Sequence, residues 1–250
     1  MSVDVAENLV PGLGASYRYS YTLPIEIQDK TFSRMATLVR GKVAPFRFRL
    51  AAGEIVNELG IKSEQRVLEL GSGLGLLGEA VKEKVGAQVS YVGVDLFYRS
   101  AKAGSEKSLI GVQANIARLP FANDSFDTII STDVLEHVVD APTTVAEIFR
   151  VLKPGGRAFL VIADPSEARF GEIPDHIRRT RDKTDVWYWE NLFQEEGFEF
   201  LPNRSKKYRK KDWRRIFNLP FLVKLKNRPG FACAFNPVNR PGVYIVKKPG

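Results

Sequence analysis

Residues Val67-Leu68-Glu69-Leu70-Gly71-Ser72-Gly73-Leu74-Gly75 run from an apolar, strand-like segment straight into three alternating glycines. The segment from Leu76 to Val85, with helical character, follows at once. Glycine permits a turn too tight for other residues and lets backbone approach a ligand with no Cβ in the way. The first turn of the following helix offers N–H groups that no carbonyl inside the helix can use. A tight strand-to-helix turn with no ligand is the plain structural alternative. A dinucleotide is another, because Gly73-Leu74-Gly75-Leu76-Leu77-Gly78 satisfies the pattern G-x-G-x-x-G. Glu69 weighs against the dinucleotide: a pyrophosphate has no use for an acid at this strand end, whereas a ligand carrying an ammonium or sulfonium does.

Outward from this loop the chain alternates short apolar strands with amphipathic helices. A helix from about Arg47 to Leu59, with Leu50, Ile55, Val56 and Leu59 at helical spacing, precedes the first strand, and Pro45 marks a break before it. Downstream, Val89 to Val94 reads as a strand, Ile129-Ile130 sits in another, Thr144 to Leu152 as a helix and Ala158 to Ile162 as a strand. Beyond a loosely patterned stretch, Val186 to Glu196 reads as a helix, Phe198 to Phe200 as a strand and Val243 to Val246 as the last strand. This order predicts an α/β fold with a doubly wound, mainly parallel sheet and helices on both faces. Residues 1–47 form an aromatic-rich N-terminal cap or lid, and residues 48–250 one domain with a basic insertion at about 204–240.

The 250 residues are 44% hydrophobic and 26% charged, the composition of a globular chain. Cys233 is the single cysteine, which excludes an internal disulfide, and His137 and His176 are the only histidines, so no metal site is expected. The longest apolar runs, such as Ala158 to Ala163, are too short to span a bilayer. The start MSVDVAENLVPG lacks the order of a signal peptide. A cytoplasmic location is expected, with peripheral attachment at a membrane surface left open. The net charge of +8 is uneven: residues 201–250 hold fourteen Lys or Arg against the lone acid Asp212, while the first two hundred residues are net −5. One face therefore expects an anionic neighbour.

The glycine string resembles the first motif of the class I S-adenosylmethionine-dependent methyltransferases, particularly the small-molecule and quinone type. Glu69, Gly71, Gly73 and Gly75 match the acid and glycines of that motif, with Ser72 between them. Asp95, in Val92-Gly93-Val94-Asp95-Leu96, matches the acid that closes the second strand and, by resemblance, takes both ribose hydroxyls of the cofactor. In Asn115-Ile116-Ala117-Arg118-Leu119-Pro120-Phe121, Asn115-Ile116 stands where the family has Asp-Ala. The resemblance implies that Asn115 accepts from the adenine amino group and that the Ile116 N–H reaches a ring nitrogen. Phe126 to Thr132, continuing through Asp133-Val134-Leu135-Glu136-His137, matches the strand that passes the methionine part, where Ser131 and Thr132 are expected. Val151-Leu152-Lys153-Pro154-Gly155-Gly156-Arg157 matches the family's helix-to-strand turn. S-adenosylmethionine, with S-adenosylhomocysteine as product, is the implied cofactor, and an antiparallel last strand the implied topology.

Methyl transfer from a sulfonium needs alignment, exclusion of water and, for some acceptors, removal of a proton. His137, just past the fourth strand, and His176, in Pro174-Asp175-His176-Ile177-Arg178-Arg179, are the catalytic candidates; Asp133 and Asp164 are also placed for proton transfer. Each histidine equally suits a structural role. Tyr17, Tyr19, Tyr21, Phe32, Phe46 and Phe48 would form a lid over an apolar acceptor or a packed cap on the sheet. Trp187, Tyr188 and Trp189 occupy three adjacent helical positions and so cannot all face one pocket. Arg204 to Arg228 holds eleven Lys or Arg interleaved with Trp213, Phe217, Phe221 and other apolar groups. That composition suits an anionic membrane, an amphipathic substrate or RNA, or simply a solvated loop over buried apolar residues. The expected reaction is methyl transfer to an O, N or C atom of a small or lipid-like acceptor. An RNA methyltransferase using residues 204–228, or a non-catalytic nucleotide-binding module, is the alternative.

Overall fold

A computed structural model describes residues 43–107, 109–162, 186–202 and 242–250. The elements are α1 (Val43–Leu59), β1 (Arg66–Leu70), α2 (Leu76–Val85), β2 (Ser90–Asp95), α3 (Tyr98–Ser105), β3 (Ile110–Gln113) and β4 (Phe126–Thr132). A 3-10 turn (Leu135–His137) follows, then α4 (Ala141–Val151), β5 (Leu152–Val161), α5 (Val186–Glu195), β6 (Glu199–Phe200) and β7 (Val243–Lys247). The strands form one sheet in the order β3-β2-β1-β4-β5-β7-β6. All pairings among β1 to β5 are parallel, and β7 runs antiparallel to both β5 and β6. The expected antiparallel last strand is therefore present.

Side chains alternate between two cores, as strand geometry requires. On one face, Leu68, Leu70, Val94 and Ile129 pack with Val145 and Ile148 of α4 and Trp189 and Phe193 of α5. On the other, Val67, Tyr91 and Ile130 pack with Ile55 and Leu59 of α1 and Leu77 and Val81 of α2. The sheet is covered on both sides, so its central strands are apolar throughout rather than alternating. On α5 the three aromatic neighbours separate as helical geometry demands: Trp189 is buried, Tyr188 half-buried and Trp187 exposed.

Several boundaries differ from the sequence expectation. α1 begins at Val43 and includes Pro45, because the first turn needs no N–H from that residue. β5 begins at Leu152, directly after α4, instead of at Ala158; Leu152 pairs with Phe126, and an irregularity in register before the Arg157–Thr128 pair takes up Lys153 to Gly156. α3 and β3 carry no clear pattern in the sequence. Their contact rests on Gly111, where a Cβ would lie 1.9 Å from the Ala101 carbonyl oxygen. The aromatic positions up to Phe32, His176, Asp164 and the basic stretch 204–240 lie outside the described residues.

Candidate functional site

Register brings the candidate residues to one edge of the sheet. Leu70, the last residue of β1, lies beside Val94 of β2 and Ser131 of β4, and Asp95 lies beside Gln113 of β3. The loops leaving β1, β2, β3 and β4 therefore emerge together, at the carboxyl edge where open α/β sheets bind ligands.

The glycine loop has left-handed backbone at each alternate residue: φ is 70° at Gly71, 51° at Gly73 and 70° at Gly75. These are conformations that side chains other than glycine's resist. The three glycines nevertheless differ in surroundings. A Cβ on Gly71 would lie 2.2 Å from a methyl group of Val134, so this glycine closes a packing contact with the segment after β4. A Cβ on Gly75 would press on Gly104 and Leu109 at 3.0 Å. At Gly73 a Cβ would meet nothing within 4 Å among the described residues, and there the backbone faces open space. Gly78 serves packing, since a Cβ there would lie 2.6 Å from the Tyr91 ring.

Asp95 ties the loop to β2. One carboxylate oxygen accepts from the Gly73 N–H at 2.9 Å and the other from the Phe97 N–H at 3.0 Å. The group is buried, which raises its pKa, while the Phe97 and Gly73 amides and the Ser100 hydroxyl oppose that shift. Leu96, next in sequence, is exposed. Beneath the loop Glu69 is also buried, and the Tyr91 hydroxyl donates to it at 2.9 Å. Burial pushes the Glu69 carboxyl up to about 8, with Asp95 adding to the rise and the Tyr91 hydrogen bond resisting it. The negative charge expected of Glu69 is thus held back in a buried position. Tyr91 gives no signal in sequence, because its role depends on which residue of β1 faces it.

Ser72 rests on Gly93, where a Cβ would lie 2.8 Å from the serine side chain. The hydroxyls of Ser72 and Ser131 are buried and have no hydrogen-bond partner among the described residues. Buried polar atoms are ordinarily paired, so both belong to a site with hydrogen-bonding capacity left over. Thr132 is half-buried, and Asp133 adopts a left-handed φ of 56° as the chain leaves β4. Asn115 is exposed at the end of β3, its side-chain oxygen accepting from the Ala117 N–H at 2.9 Å, and the Ile116 side chain is buried in the core. His137 closes the 3-10 turn, half-buried, its N–H donating to the Val134 carbonyl at 3.0 Å. Among the described residues no three His, Cys, Asp or Glu are gathered as a metal site, and no helix is long and apolar enough to cross a membrane.

The open backbone at Gly73, the adjoining carboxylate of Asp95, the unspent serine hydroxyls and the exposed Leu96 suit an adenosine-bearing ligand. Comparison with known proteins agrees. A family model described as a methyltransferase domain matches residues 68–160. The ubiquinone/menaquinone biosynthesis C-methyltransferase UbiE of Proteus mirabilis is 34% identical over 131 residues, covering 47% of this chain and 52% of the relative. UbiE of Serratia proteamaculans is 38% identical over 110 residues, covering 41% of this chain and 44% of the relative. The chain thus spans about half the length of the curated relatives it matches. Among solved structures, a SAM-dependent methyltransferase from Aquifex aeolicus superposes with a TM-score of 0.55 at 17% identity, covering 68% of this chain and 90% of that one. Phosphoethanolamine N-methyltransferase 2 of Haemonchus contortus, in complex with S-adenosyl-L-methionine, gives 0.54 at 18% identity, covering 80% and 52%. At such identities the structural likeness is one of fold.

Proposed function

We propose that this protein, whose residues 68–160 match a methyltransferase-domain family model, is a class I S-adenosylmethionine-dependent methyltransferase that transfers a methyl group from that cofactor to an O, N or C atom of a small or lipid-like acceptor. The observation that carries the reading is the glycine loop, open at Gly73 and tied there to the buried carboxylate of Asp95. The cofactor, when bound, supplies an electrophilic methyl carbon on a sulfonium sulfur. In this reading the backbone around Gly73 lies against it, Asp95 takes the ribose hydroxyls and Asn115 with the Ile116 N–H takes the adenine. Ser72, Ser131 and Thr132 meet the amino-acid end, and Glu69 sets a negative charge beneath the loop once a cation is near. His137 and His176 are the side chains offered for removing a proton from the acceptor.

The relatives named for ubiquinone and menaquinone biosynthesis favour an apolar, quinone-like ring as acceptor. We assign its pocket to the aromatic residues of the 1–47 cap and to residues 164–181. The basic stretch 204–228 is then the means of reaching an anionic surface, consistent with its interleaved Lys, Arg and aromatic residues. RNA, bound by the same stretch, is the alternative acceptor.

Calorimetry with S-adenosylhomocysteine and with NADH tests the cofactor: binding of the first and not the second is expected, and the reverse overturns the assignment. Methyl-labelled cofactor supplied to separated extract fractions tests the acceptor. Label in the organic-soluble fraction supports the proposal, nuclease-sensitive label replaces it with RNA, and no transfer to any fraction favours a non-catalytic module. Changing Lys206, Lys207, Lys210 and Lys211 together to Gln is expected to weaken binding to anionic liposomes, most at low ionic strength, and to leave S-adenosylhomocysteine affinity unchanged. Undiminished liposome binding would reject the surface role.

A further inference from the structure

The chain between β3 and β4, residues 114–125, has no strand or helix to hold it, yet it begins with the residues assigned to the adenine. The Ala114 N–H ties its start to the Asp95 carbonyl, and its internal bonds are few: Asn115 closes a turn with the Ala117 and Arg118 amides, and the Ser125 hydroxyl donates to the Ala122 carbonyl. Ile116 and Leu119 sink into the core, the Asp124 and Ser125 amides donate to the Arg150 and Val151 carbonyls, and the backbone between is held by a pair of side chains one turn apart on α4. Glu147 accepts from the Leu119 N–H at 2.6 Å. Arg150 donates to the Phe121 carbonyl at 2.7 Å, the Leu119 carbonyl at 3.1 Å and the Asn123 side-chain oxygen at 3.0 Å. The two side chains also bind one another, Arg150 Nε to Glu147 Oε1 at 2.6 Å. The Glu147 carboxyl is accordingly held below the usual carboxylate range, by Arg150 first and the Leu119 amide in addition.

We propose that Glu147 and Arg150 are positioning residues for the cofactor's adenine, acting through the 114–123 loop that they clamp to α4. The proposal rests on the cofactor reading given above. Both residues stand on a helix whose other face is locked into the core by Val145, Ile148 and Val151, so the clamp refers the loop to the rigid sheet. Neither side chain is fully buried, so water can satisfy the loop carbonyls when the guanidinium is removed, and the fold should survive its loss. A fixed loop meets the adenine without an ordering cost at binding; a loose one must be ordered at that moment. The guanidinium fork is required because one ammonium cannot reach both carbonyls and the carboxylate in the same plane.

The test is a double-mutant cycle on S-adenosylhomocysteine affinity, measured by calorimetry on the full chain, with hydrogen exchange of the loop amides. Arg150→Gln is expected to weaken binding about five- to tenfold, the worth of one hydrogen bond to the ligand, and Arg150→Lys not to restore it. The Ala117 and Leu119 amides should exchange faster, with those of β1 and β4 unchanged. Asn115→Ala alone should also weaken binding, and combined with Arg150→Gln should cost little more than either single change, because both act through one contact. Additive losses, or wild-type affinity in Arg150→Gln, would overturn the proposal. If Arg150→Gln does not fold, Glu147→Gln, which keeps an acceptor for the Leu119 amide, takes its place in the same cycle. Absence of binding by the wild-type chain would remove the cofactor reading and this inference with it, and so separates the two failures.

Discussion

Gly71 and Gly73 share nearly the same backbone conformation, so alanine at either position isolates what the side-chain space is for. The left-handed φ costs a non-glycine residue about 1–2 kcal/mol at both sites. At Gly73 that is the whole cost to folding, because the added methyl meets nothing within 4 Å among the described residues. Each kcal/mol corresponds to about 2–4 °C in a chain of this size. At Gly71 the methyl would stand 2.2 Å from Val134, which adds roughly 1–3 kcal/mol of overpacking. The order reverses for ligand. The Gly73 methyl occupies the open approach, and a clash of about 1–3 kcal/mol there lowers affinity by roughly five- to a hundredfold. Thermal melting and calorimetry with S-adenosylhomocysteine on both variants decide the matter. Gly73→Ala should fold with a small loss in Tm and bind poorly, and Gly71→Ala should lose about two to three times as much stability. Wild-type affinity in Gly73→Ala, or equal destabilisation by the two changes, would refute the claim that the loop opens to ligand at Gly73.

Asp95→Asn should lower S-adenosylhomocysteine affinity by tenfold or more through loss of charge-assisted hydrogen bonds, about 1.5–3 kcal/mol each. It should also cost some stability in urea, because the carboxylate already holds the Gly73 and Phe97 amides. The Glu69 carboxyl titrates near 4.5 unfolded and about 8 folded, so the folded chain keeps a proton that the unfolded chain releases. Stability is therefore lost as pH rises from about 4.5 through about 8. Glu69→Gln should consequently gain on wild type between these limits in urea titrations, and a difference independent of pH would contradict the assignment. Lys248 donates to Asp124, Phe149 O and Leu152 O at 2.7–3.0 Å and lies over the Phe149 ring. Lys248→Ala should destabilise by about 2 kcal/mol, visible as a lower urea midpoint with ligand affinity unchanged.

The strand, glycine loop and helix from Val67 to Val85 are legible in the chain alone, as are Asp95, the helix read at Thr144 to Leu152 and the strand at Val243. Each is a local pattern: apolar alternation, obligate glycine, a cap, a break at proline. The pattern places the start of that helix three residues late: α4 begins at Ala141, where the Asp140 carboxylate caps it at the Thr143 N–H. α3 and β3 are not legible, because Tyr98 to Ser105 has little apolar periodicity and Ile110 to Gln113 is short. They form because Gly111 lets the Ala101 carbonyl approach and because β2 offers an edge to pair with.

Composition and order thus settle the α/β architecture and single out the glycine loop. Which side chains meet is decided across the sheet. Glu69 reads as a charge awaiting a cation; only the pairing of β1 with β2 places Tyr91 against it and buries the pair, which raises its pKa. Glu147 and Arg150 carry no signal of their own in the sequence, and Lys248 is one of the fourteen bases of residues 201–250. Their partners lie about thirty residues away in the first case and about a hundred in the second. Hydrogen bonds depend on separation in space, which a sequence motif cannot encode when the strands that set that separation lie between the partners.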